Sequence, residues 1–237
     1  MKELRKQWWE YSARLSAEFA IVVIGVTIAL WADSWVANRD DREEESARLY
    51  ALQDNITETL EALREERDIS AAAADTLRKL LSKQKFGEDE LRKLLRFGIL
   101  YGPVFSPELN VYDDLKNSGE LALLTDRDVR QSLATMDSRL AIYQMAQSDL
   151  ASVQQLQIDS YAIDHADVRL LYGEDLGIEW VADDAEHDYE FMSDKRFQNR
   201  ILLKLDLISE VVIRFNDAEA ALEKARQTIA AQLATEN

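Results

Sequence analysis

The sequence predicts an all-α protein in which an N-terminal single transmembrane helix continues into an elongated antiparallel helical bundle. Three observations predict it. Two prolines and seven glycines in 237 residues leave few places where a helix must stop. Apolar residues recur at steps of three and four over several long stretches, as one buried helix face requires. One run, Phe19 to Ala32, carries no charge and has no polar stripe along any face. The chain is accordingly read as a basic, aromatic juxtamembrane helix over 1–16, a span over 17–38, a helical stalk over 39–48 and an extracytoplasmic bundle over 49–237.

The uncharged run is 14 residues long, and crossing the hydrocarbon takes about 20 residues at about 1.5 Å each. Its flanks supply the difference, with Ala13, Leu15 and Ala17 before it and Trp35 and Val36 after it. Trp8, Trp9 and Tyr11 on one side and Trp31 and Trp35 on the other match the aromatic belts of two water interfaces. Gly25 and Ala29 form a small-xxx-small pair that lets neighbouring spans approach closely. A cleavable signal peptide is the competing reading of the same run, with small residues at Ala32 and Ser34. Lys2, Arg5, Lys6 and Arg14 precede the run, whereas Arg39 and Arg42 follow it among five acids, which predicts a cytoplasmic N-terminus. In a bacterial cell the C-terminal domain then faces the periplasm from the inner membrane.

Beyond the span, Arg39 to Ser46 is polar on every face and predicts a helix running through solvent. Leu49, Leu52, Ile56, Leu60 and Leu63 give the face of a first bundle helix to about Asp68; a second stretch from Ser70 breaks near Gly87 and resumes from Glu88 to Phe97. Tyr101 to Pro107 carries both prolines and is the clearest loop. A short helix over 109–118 ends at Gly119, which suits the left-handed backbone after a helix terminus. Thr125 with Asp128 resembles a capping box at the head of a long helix. Its seam is Val129, Leu133, Met136, Leu140, Tyr143, Leu150, Val153 and Leu156. Residues 164–190 hold ten acids, both histidines and little helical period, and read as a loop. Asp194 caps the last helix, with a seam at Ile201, Leu205, Ile208, Val212, Phe215, Leu222, Ala225 and Ile229. The expected packing is a four-helix antiparallel bundle with long elements projecting from it.

A net charge of −17 repels nucleic acid and anionic lipid headgroups, so nucleic-acid binding is excluded. The absence of cysteine excludes disulfides and thiolate metal sites. No GxSxG elbow, HExxH pair or phosphate-binding glycine loop is present, so no enzyme and no cofactor is expected. His165 and His187 flank Asp164, Asp167, Asp183, Asp184, Glu186 and Asp188, a set able to hold a hard cation or simply to form a solvated acidic loop. Glu18 lies at the start of the span one turn after Arg14. It either pairs with that arginine or lines the mouth of an oligomeric pore. Phe105, Tyr112, Leu115 and Gly119 form a candidate contact surface, or their rings plug one end of the core.

The run EFAIVVIGVTIALWADSW from Glu18 and the block NVYDDLKNSGELALLTDRDVRQSL from Asn110 resemble the two hallmark blocks of a bacterial family of single-span envelope proteins of unknown function. The second block matches at Tyr112, Leu115, Ser118, Gly119 and Leu124; after the span, only Trp35 is shared with the family's Asn-rich turn. The resemblance covers the anchor and one central block, and implies architecture without activity. The expected function is an inner-membrane-anchored scaffold or sensor working through protein contacts, with the lipid bilayer, further copies of itself and another envelope protein as candidate partners. The alternative is a small homo-oligomeric channel with an acidic ring at Glu18.

Overall fold

The structure, a computed structural model, describes the backbone of residues 2–82, 84–102, 105–165 and 189–236, and the side chains of these except at 2–22, 25, 34, 37, 38, 40, 41 and 236. Among the described residues every regular element is helical. They are α1 (Lys2–Leu81), α2 (Glu88–Leu100), α3 (Asn110–Ser118), a 3-10 turn (Glu120–Leu123), α4 (Arg127–Val153), a π-helical turn (Gln154–Asp159), α5 (Ser160–His165), a second 3-10 turn (Glu190–Ser193) and α6 (Lys195–Glu236). The chain forms two compact units, Met1–Tyr50 and Ala51–Asn237.

In the first unit the described apolar side chains from Val23 to Val36 are exposed, Ile28 at 59% and Trp31 at 68%. Among the described residues no helix is long and apolar enough to cross a membrane. The side chains of Phe19 to Val22, and those of Trp8, Trp9, Glu18 and Gly25, lie outside the described ones. Ala29 and Trp35 are exposed. Along 39–48, Arg39 pairs with Glu43 at 2.9 Å and Arg48 with Glu44 at 3.0 Å, each pair supporting the helix by a few tenths of a kcal/mol. Glu45 departs from the expected all-polar exposure and is buried.

In the second unit, Leu52, Ile56, Leu60 and Leu63 are buried as the spacing predicts. The expected break between Asp68 and Ser70 is absent, and α1 continues to Leu81. Four consecutive alanines, 71–74, favour helix and no breaker intervenes. The buried Ser70 hydroxyl is satisfied sideways by Tyr101, 2.6 Å away. The end of α2 comes close to α1 at Gly98, where a Cβ would meet Leu77 Cδ2 and Leu80 Cδ1 at 3.0 Å. A Cβ there would require the ends of those two leucines to give by a few tenths of an ångström.

The short α3 is held from a distance. Its own N-cap residue, Leu109, offers no acceptor. Asn55 on α1 replaces it, accepting from Val111 N at 3.2 Å and donating to Glu108 O at 2.9 Å. Gly119 closes the helix at φ 81°, where a side chain would be strained. The cap of α4 is Asp126 and not Thr125, because the Asp126 carboxylate accepts from Asp128 N at 2.6 Å and Val129 N at 3.1 Å.

α4 and α6 pack antiparallel, since Tyr143 meets Phe215 and, further along, Tyr161 meets Phe197. The buried positions of α4 run Val129, Leu133, Met136, Leu140, Tyr143, Gln147, Leu150 and Gln154, and those of α6 run Ile201, Lys204, Ile208, Val211, Phe215, Ala218, Leu222, Ala225 and Ile229. Both alternate steps of three and four, the spacing of a coiled-coil seam. Four expected seam positions are corrected. After Leu150, Gln154 follows at the regular step of four and the π-helical turn then adds a residue, so Ile158 faces inward, whereas Val153 is half-buried and Leu156 is 70% exposed. On α6, Lys204 and Val211 occupy the seam, whereas Leu205 and Val212 are only half-buried.

Candidate functional site

One layer of the seam, among the described residues, encloses a charged side chain, Lys204. Three elements meet there: the end of α2, the π-helical turn and the first third of α6. The last four carbonyls of a helix have no partner within it, and Ile99 O is one of these in α2. It accepts from Lys204 Nζ at 2.8 Å and from Gln154 Nε2 at 2.9 Å. Gln154 Nε2 also donates to Asp159 Oδ1 at 2.5 Å. Lys204 is wholly closed from solvent. Its amine is a C-terminal cap for α2, placed where the helix dipole is negative.

Burial penalises the ammonium form and pushes the Lys204 amine down to about 7, with the Asp159 carboxylate pulling it back up. Burial wins because a carboxylate that already accepts from Gln154 lies beside the amine without pairing to it. Gln154 Oε1 is buried without a partner, a costly condition that marks a site under constraint. The Lys204 amine is thus sealed from solvent and bonded to a main-chain carbonyl.

Around this layer the groups are fixed in pairs. Arg200, one turn before Lys204, donates from Nε to Gln157 O at 3.1 Å, a carbonyl inside the π-helical turn, and its guanidinium lies 4.7 Å from the centre of the Tyr161 ring. Tyr161 donates to Asp194 Oδ2 at 2.7 Å, while Asp194 Oδ1 accepts from Arg196 N at 2.8 Å and so caps α6. Those bonds from Arg196 and Tyr161 lower the Asp194 carboxyl, and burial pushes the Tyr161 phenol up to about 12. Ile99, Ile158, Tyr161, Ala162, Phe191, Phe197 and Arg200 line a small cleft here, with about 10 Å³ of room for the centre of a water. That holds about one water molecule.

A second polar group sits between α1 and the segment after α2. Tyr101 donates to Glu66 Oε1 at 2.7 Å, which leaves Ser70 as the donor to the Tyr101 oxygen. Burial pushes the Tyr101 phenol up. Half-buried Phe105 then turns onto the seam, 6.2 Å from Tyr143 and 6.5 Å from Phe215 between ring centres. Tyr112 and Leu115 are buried and Gly119 is exposed. Of the candidate contact surface, three side chains therefore serve the interior. Pro103 lies outside the described residues, as does 166–188 of the acidic stretch. Asp164 and His165 are exposed at the end of α5, with the His165 ring 4.4 Å from that of Tyr161. Among the described residues no group of three or more His, Asp or Glu is placed to hold a metal ion.

Sequence reasoning missed Lys204 and Gln154 because it sought apolar residues at seam spacing and took Leu205, one position on. The signal was present. Ile201, Lys204, Ile208, Val211 and Phe215 keep an unbroken three-four alternation in which the only charged residue is Lys204. No protein-family model, curated protein or solved structure matches the chain.

Proposed function

We propose that the chain is an inner-membrane-anchored protein whose periplasmic helical domain acts as a scaffold or sensor through protein contacts and self-assembles. The observation that carries the reading is the exposed apolar surface of Val23, Ile24, Val26, Ile28, Leu30, Trp31, Trp35 and Val36. At about 100° of rotation per residue, eight such positions cover the whole circumference of a helix. A helix apolar all round is stable only against protein or lipid, and hydrocarbon is the surrounding that needs no second protein face. The basic residues before Phe19, the acidic character after Asn38 and the resemblance of the two sequence blocks to single-span envelope proteins support the same orientation. Gly25 and Ala29 offer a close-approach site for a second copy.

The test is membrane fractionation of the full chain with an alkaline wash, together with a reporter fused after Asn237. The protein is expected to stay in the washed inner-membrane fraction, with the reporter active only on the periplasmic side. Release into the soluble fraction would end the anchor reading, and a cytoplasmic signal would reverse the orientation. Mass measurement in detergent then distinguishes a single tether from an assembly.

A further inference from the structure

We propose that Lys204, Gln154 and the Ile99 carbonyl form a proton-operated latch, which holds the end of α2 and the π-helical turn on α6 while the amine is neutral and loosens them when it is protonated. The geometry carries this without the membrane reading. A neutral amine places one N–H on Ile99 O, 2.8 Å away. The ammonium form brings three donors into a layer where Ile99 O already takes Gln154 as well. Asp159, the carboxylate that favours the charged form, is committed to Gln154 Nε2. Protonation therefore creates donors that the layer can meet only by turning Gln154 Oε1, buried without a partner, towards the amine and Gln154 Nε2 off Ile99 O, or by admitting water, and either change loosens the layer.

The place of opening follows from what surrounds the amine. A π-helical turn lacks the regular ladder of an α-helix and is frequent at functional sites. Here it is tied to α6 by Arg200 on Gln157 O and by Tyr161 on Asp194. The small cleft lined by Ile99, Ile158 and Arg200 adjoins the layer and is the short path for water. On the other side, α2 rests on α1 through Gly98, against Leu77 and Leu80, which bring no charge. The titratable groups of the neighbourhood are Asp159 in the turn, Tyr161 and His165 on α5, Asp194 before α6, Arg200 on α6 itself, and the Glu66–Tyr101 pair between α1 and the segment after α2. His165 stacks on Tyr161, 4.4 Å between ring centres, so the test must separate it from Lys204.

The test is hydrogen–deuterium exchange of the full chain in detergent between pH 6 and pH 9, corrected for the intrinsic rate. Peptides over 92–102 and 150–165 should gain protection above pH 7 by on the order of tenfold per pH unit, since each unit then discourages the open, protonated state. Peptides over 215–229 should not follow. Lys204→Met keeps His165 and keeps Gln154 on Ile99 O, so it should abolish the step and leave both peptides protected throughout. Asp159→Asn retains an acceptor for Gln154 but removes the charge, so the onset of protection should move to lower pH. If Lys204→Met does not fold, the Asp159→Asn shift decides alone. A pH-independent profile in the wild type, a step that survives Lys204→Met, or an onset unmoved by Asp159→Asn would each overturn the latch.

Discussion

Two layers of one seam, 11 residues apart on each helix, follow opposite rules. At Tyr143 and Phe215 the rings lie 4.5 Å apart between centres, and Phe105 closes over them. At Gln154 and Lys204 the same helices enclose an amine, an amide and a helix-end carbonyl. The first layer gains from the burial of its rings, through apolar area removed from water, even though the Tyr143 hydroxyl is buried without a partner. In the second, burial opposes the charged form of Lys204, and the layer persists because three polar partners are aimed at one another. Aromatic packing therefore stabilises the seam, whereas the polar layer fixes where α2 docks along it, as single polar residues fix register in coiled coils.

The largest effect that would break this comparison is expected at the aromatic layer. Phe215→Ala removes a fully buried ring from contact with Tyr143 and Phe105 and should cost about 3–5 kcal/mol, read as a fall in Tm and in the denaturant midpoint. A loss under about 1 kcal/mol would mean that the seam is held elsewhere.

Lys204→Met should have the opposite sign. It replaces a buried amine by an apolar side chain of similar length, and Ile99 O keeps Gln154 as donor, so a gain of about 1–3 kcal/mol at pH 7 is expected. The sign with pH follows from the lowered amine, at about 7 when folded and about 10.4 when unfolded. Between these values the unfolded chain binds more protons, so wild-type stability rises with pH. Below pH 7 both states are protonated and the penalty is constant. The advantage of the variant should be greatest at and below pH 7 and shrink towards pH 10. Equal Tm values for both proteins from pH 6 to 10 would mean that the amine is not strained by burial.

The smallest effect sharpens the view of α4 as a regular helix up to its π-helical turn. Asp126→Ala should cost about 1 kcal/mol by removing the acceptor for Asp128 N and Val129 N. Thr125→Val should cost less than Asp126→Ala by thermal unfolding. The reverse ranking would restore Thr125 as the cap.

Much of the fold was legible because helix formation is read from a local period. The Gly119 terminus of α3, the start of α2 at Glu88 and the Asp194 cap all depend on residues within a turn or two of one another. The missing break at Ser70 was less legible, because its hydroxyl is satisfied by Tyr101, 31 positions away. Phe105, Tyr112 and Leu115 read equally well as surface or plug until Tyr143 and Phe215 were placed beside Phe105.

The sequence by itself determined the helices, the apolar run from Phe19 to Ala32 and most of the α4–α6 seam, since each rests on side chains a few residues apart on one face. Only the tertiary structure decided that Lys204 lies inside. Its burial requires Ile99 O, 105 positions earlier, to arrive at the end of α2 with no partner of its own. It also requires Gln154, the next seam position after Leu150, to share that carbonyl. A buried amine is tolerated only where such partners converge, and convergence of three distant segments is a property of packing that no local period encodes.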